Sequence, residues 1–79
     1  MKQIVVNSVY TGEFAYFTTL EPTVITKLMV RDADVLSEFI TNPSIAVPSG
    51  ALITNDIMGG NYFTEIEVQG SVLISIKLK

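Results

Sequence analysis

Neither cysteine nor histidine occurs anywhere in the chain. Without cysteine no disulfide framework can staple a small fold, and no thiolate is present to bind zinc. Nucleophilic catalysis would then need a serine or threonine activated by lysine, and no Ser-x-x-Lys spacing exists. The five glycines are not spaced as in Gly-x-Gly-x-x-Gly or a P-loop. An enzyme and a bound cofactor are therefore not expected.

Charge is sparse. Eight acidic and five basic residues make up 16% of the chain and leave a net charge of −3. Lys2, Lys27, Arg31, Lys77 and Lys79 are too few to neutralise a row of phosphates, so no nucleic-acid partner is expected. The acidic residues are too scattered to imitate a nucleic-acid backbone. Long apolar runs are also missing, because Thr, Asn, Gly and Pro interrupt each one. No segment reaches the ~18 to 20 apolar residues of a spanning helix, and the start, Met-Lys-Gln followed by a broken alternation, is unlike a secretory signal. These features predict cytoplasmic synthesis and no membrane partner. Repeats, low-complexity tracts and linkers are missing too, so a single domain is expected.

What the chain has in excess is apolar strand material. Of its 79 residues 48% are hydrophobic, mean hydropathy is +0.44, and Val, Ile and Thr supply about a third. A domain of this size buries only about 60 to 65% of its unfolded surface. Part of that excess is expected to be covered by other chains.

The clearest pattern is the run from Tyr62 to Lys79. Ile66, Val68, Val72, Ile74, Ile76 and Leu78 share one parity with Tyr62 and Thr64, and the alternate positions are mostly polar. A period of two is strand spacing. It predicts a β-hairpin with a three-residue loop, Val68-Gln69-Gly70, pairing Ile66 with Val72, Thr64 with Ile74 and Tyr62 with Ile76. In that register Phe63 and Leu73 lie on the wet face.

Upstream, Gln3 to Tyr10 and Glu13 to Leu20 read as strands around a Thr11-Gly12 turn, with neither face convincingly polar. After the Glu21-Pro22 turn, Thr23 to Arg31 alternates Val24, Thr26, Leu28 and Val30 with Ile25, Lys27, Met29 and Arg31. Three tightly linked strands suggest a meander. From Asp32 to Asn42 the stripe Val35, Leu36, Phe39, Ile40 predicts a short helix, capped by Asp32 and ended by Asn42-Pro43. Two prolines then bracket Ile45 to Val47, confining any strand there to an edge. Ala51 to Thr54 is a further short apolar run, and Asn55 to Asn61 is a glycine-bearing loop.

The resulting fold is mainly β: five to six short antiparallel strands in a small sandwich or partly open barrel, with one short helix at about 32–41. The alternative is an α+β arrangement with that helix on one sheet face. Asp32, Asp34 and Glu38 form the one carboxylate cluster, which suits a helix start better than a metal site, since the glycine and spaced ligands of a calcium loop are lacking. Glu65 and Glu67 project from one strand face as solubilising charges.

The expected interface residues are Phe17, Met29, Phe63 and Leu73 on strands, and Ile57 and Met58 in the 55–61 loop. Ile57 and Met58 would either fold back as a lid or insert into a neighbour, where methionine adapts well. The function this suggests is a non-enzymatic structural subunit, a homo-oligomer or a component of a larger protein assembly, such as a capsid decoration or cement protein or another minor virion protein. The alternative is a small inhibitor or adaptor that docks one protein partner through an edge strand and the 55–61 loop.

Overall fold

The computed structural model describes residues 1–55 and 62–76. Seven strands and one helical turn follow in the order β1 (Lys2–Val6), β2 (Val9–Thr19), β3 (Val24–Val30), β4 (Ala33–Asp34), α1 (Leu36–Phe39), β5 (Leu52–Thr54), β6 (Phe63–Gln69) and β7 (Ser71–Ile76). All pairings are antiparallel, and the sheet, ordered β1-β7-β2-β6-β3-β4 with β5 also on β2, is not closed into a barrel. The mainly β architecture with one short helix is the expected one. Among the described residues no helix is long and apolar enough to cross a membrane.

The route of the chain differs from the expected one. β6 and β7 are separated by Gly70 alone, yet they do not pair, because β2 lies between them in the sheet. Val72 sits opposite Val5 and Thr19, while Ile66 sits opposite Tyr10 and Leu28. The predicted hairpin is thus one strand bent at Gly70, and the predicted pairs Ile66 with Val72, Thr64 with Ile74 and Tyr62 with Ile76 do not form. Parity alone could not separate the two, since an odd-length loop and a bend both keep Ile66, Val68, Val72 and Ile74 on one face. All four are buried.

The N-terminal segments follow the same bend. β1 pairs with β7, and the start of β2 pairs with β6, so residues 2–11 run as one broken strand along one side of 65–75. The break is at Asn7 (φ 46), not at Thr11-Gly12, which lies within a bulged β2. On the other side the end of β2 pairs with β7, and β3 pairs with β6. No meander forms: β1 and β2 do not pair, and neither do β2 and β3. The two halves of the sheet, β1-β7-β2-β5 and β2-β6-β3-β4, enclose a core in which Phe14, Phe17 and Phe63 have no exposed surface. Their rings meet across it, Phe17 to Phe63 at 5.8 Å and Phe14 to Phe63 at 5.3 Å.

The helix is shorter than the apolar stripe implied. Residues 33 and 34 pair back onto β3, Val30 with Ala33 and Met29 with Asp34, through a turn at Arg31 (φ 56). Asp32 is therefore in a strand turn and does not cap a helix. Asp34 accepts a hydrogen bond from the Leu36 N–H at 3.0 Å, and an extended Ile40 ends the turn. Val35 and Ile40 are buried, and Phe39 lies against Phe63 at 5.1 Å, so the stripe still closes one end of the core.

The bend is held by side chains from both flanking segments. The Gly70 N–H donates to Asn7 Oδ1 at 2.7 Å, and the Asn7 N–H donates to the Gly70 carbonyl at 2.9 Å. From the other side Thr23 packs against Gly70, its hydroxyl donating to the Glu21 carbonyl at 2.8 Å and accepting from the Ser71 N–H at 3.2 Å. Gly70 has φ 133, and a Cβ there would lie 2.5 Å from Thr23 Oγ1 and 3.0 Å from its Cα. Gly70→Ala is thus expected to cost at least ~2 kcal/mol, about 10 °C in melting temperature for a domain this small. Gly50 also has positive φ (82) but open space around it, so Gly50→Ala should cost only the backbone term, roughly 1 to 2 kcal/mol. Equal melting losses would show that the close approach at Thr23 matters little.

Candidate functional site

The bend leaves the sheet with two outer faces of different chemistry. On the β2-β6-β3-β4 half, Glu65 and Glu67 face outward beside Lys27 and Met29. Lys27 Nζ lies 3.0 Å from Glu65 Oε2. The hydrogen bond and charge of Glu65 hold the Lys27 ammonium above its ordinary pKa, against a small opposing effect of desolvation. The sign follows from linkage. Any stabilisation is present below the ordinary lysine value, is lost only as pH rises through the raised one, and so is constant around neutrality. This is a solvated, screened surface pair.

On the β1-β7-β2-β5 half the outer face is apolar. Sheet register lines up Ile4, Leu73, Thr18 and Leu52 in one row across the four strands. The next row holds Val6 and Ser71, with Leu20 beside them through its N–H to the Ser71 carbonyl at 2.9 Å. Ile4 is 57% exposed, Val6 52%, Leu20 44% and Leu52 60%, and Leu73 is half-buried at their centre. The strands expose these residues because Val5, Val72, Ile74, Phe17 and Thr19 take the opposite parity and fill the core. The exposed area is on the order of the few hundred Å² that marks the largest apolar patch of an ordinary monomer.

Of the residues expected at an interface, Leu73 lies at the centre of this face. Met29 is half-buried on the other half, opposite Glu65 and Asp34. Phe17 and Phe63 require correction: both are fully buried in the chain's own core and offer no surface to a partner. Unbroken alternation would put Phe63 on the wet face. In fact the inward parity switches between Phe63 and Ile66, and Phe63 turns in to meet Phe14, Phe17 and Phe39. Ile57 and Met58 lie outside the described residues.

Ile4, Val6, Leu20 and Leu52 were not singled out from sequence. The signal was there in part, since the first strand is apolar on both parities, but which parity faces water depends on pairing with β7. Among the described residues no three acidic side chains come together to hold a metal ion. Comparison with protein families, curated proteins and solved structures finds no match for this chain. The surface is therefore read from its own geometry.

The division between core and face can be measured. Phe63→Ala should lower unfolding free energy by about 3 to 5 kcal/mol. Ile4→Thr with Leu52→Thr should change it by no more than ~0.5 kcal/mol per site, threonine being at home on a strand. Denaturant melts compare them, and a large loss in the threonine variant would mean that these side chains are packed in the free chain.

Proposed function

We propose that this chain is a non-enzymatic structural subunit that works by self-association or by docking on a larger protein lattice, in the manner of a capsid decoration or cement protein or another minor virion protein. The observation that carries the reading is the apolar face of β1-β7-β2-β5. Four of its residues are about half exposed or more, while the opposite half of the sheet carries the ion pair. A patch the size of an ordinary monomer's largest is often functional, and covering it recovers hydrophobic free energy. The lack of histidine and cysteine supports a role without catalysis. A second reading, an adaptor that docks one partner by strand addition, draws support from β1, which among the described residues pairs on one side only.

Light scattering across a concentration series separates the two. The assembly reading predicts masses that are multiples of 8.6 kDa and grow with concentration. Leu73→Lys, which puts a charge at the centre of the face, should drive them back toward 8.6 kDa. A constant 8.6 kDa for both proteins would contradict self-association.

A further inference from the structure

We infer that β1 pairs with β1 of a second copy of this chain, antiparallel about a two-fold axis through Ile4. This deepens the association reading above and rests on it, adding the partner, the strand and the register.

The direction of the backbone groups comes first. The Met1 carbonyl accepts from the Ile76 N–H at 2.8 Å, and the Asn7 N–H donates to the Gly70 carbonyl at 2.9 Å. In an antiparallel ladder the bonded pairs alternate, so the odd positions of β1 bond β7 and the even ones, Lys2, Ile4 and Val6, point their N–H and C=O groups away from it. Among the described residues β1 pairs with β7 alone. A two-fold at Ile4 sets Ile4 opposite Ile4 of the second copy and Lys2 opposite its Val6. All three outward positions then face outward positions, giving roughly six hydrogen bonds, two per facing pair.

The other free edges are blunted and this one is not. β4 consists of Ala33 and Asp34 alone, and β5 has three residues and follows Pro48 and Gly50. Among the described residues β3 before Met29 and β2 before Phe14 also pair on one side only, but β3 carries Lys27 and a bulge there, and β2 carries Gly12, Glu13 and a bulge. β1 has five residues, KQIVV, with no proline, glycine, acid or bulge, and its one charge lies at its end.

Charge is complementary in this register. The two Lys2 side chains fall at opposite ends of the pair, so like charges never face each other. Each Lys2 lies beside Val6 of the second copy. One strand further in, Ser71 of that copy donates its hydroxyl to Glu21 Oε2 at 2.8 Å. That carboxylate is about two strand spacings from Lys2, roughly 10 Å between backbones, a gap that two long side chains close together.

The pairing also answers a shortage of area. The apolar face of one chain is well below the ~800 Å² per partner of a standard interface. Opposed residues of an antiparallel pair share a face, so Ile4, Val6 and Leu73 of both copies join in one continuous apolar floor, double the size, for a lattice to receive.

Because the chain has no cysteine, Ile4→Cys carries its only thiol. Facing residues of a bonded antiparallel pair have Cα atoms about 5.5 Å apart, inside the ~4.4 to 6.8 Å that a disulfide spans. Under mild oxidation Ile4→Cys should form a covalent dimer at least ~10-fold faster than Ile45→Cys, which is as exposed but lies elsewhere. Ile4→Pro removes an outward N–H without touching the ladder to β7, and should return the mass to 8.6 kDa while melting like the unsubstituted chain at dilutions where both are monomeric. Multimers that survive Ile4→Pro, or cross-linking of Ile4→Cys no faster than that of Ile45→Cys, would overturn the edge pairing and leave association by the apolar face standing. An unsubstituted chain that is monomeric at every concentration would overturn both.

Discussion

The close approach of Gly70 to Thr23 is what the rest of the fold depends on. Gly70 lets the strand bend sharply because its φ of 133 suits glycine and Thr23 occupies the space that a Cβ would need. Once it bends, β6 and β7 serve different halves of the sheet, and β2 must cross from one to the other. Asn7 matches the bend on the neighbouring strand by adopting φ 46 and closing two hydrogen bonds onto Gly70. The fold is therefore built mostly of contacts distant in sequence, with the C-terminal strand threaded between N-terminal ones.

Bending also decides which surfaces meet water. Folding the sheet over encloses one face and leaves two outer ones, and the charged strand residues fall mostly on one of them. Lys27, Glu65 and Glu67 fall on the β6 half. The β7 half receives Ile4, Val6, Leu20, Leu52 and Leu73. A small chain that is 48% hydrophobic cannot bury everything, and those five residues of the surplus share one face, while Val9 and Ile45 are exposed elsewhere. Beside that face lies the one long, unblunted edge among the described residues, which makes the face and β1 one candidate surface.

The strands of this fold were legible from alternation, and so were its antiparallel character and the single short helix. Partners were not, because parity says which residues share a face and is silent on which strand lies alongside. The single glycine of Val68-Gln69-Gly70-Ser71 suits a hairpin loop as well as a corner, and only the Cβ-free contact with Thr23 tells them apart. The helix shortened because Ala33 and Asp34 gained two strand pairs with β3, a tertiary gain that local propensity does not register. At the candidate site, Leu73 was legible because its own strand alternates cleanly. Phe63 misled because a large apolar residue on an apparently wet face has two explanations, and here a switch of parity took it into the core. Phe17 misled because neither face of its strand is polar enough to mark which one is buried. Ile4 and Val6 stayed hidden because β1 is apolar on both sides.

In the proposed assembly another protein surface completes one edge and one face of this protein, and the backbone amides of β1 report on that most directly. In hydrogen exchange followed residue by residue, Gln3 and Val5, bonded to β7, should be protected at every concentration. Ile4 and Val6 should exchange quickly when dilute and slow progressively as concentration rises. Ile4 and Val6 amides that exchange equally fast across the whole series, with Gln3 and Val5 protected throughout, would contradict the proposed pairing.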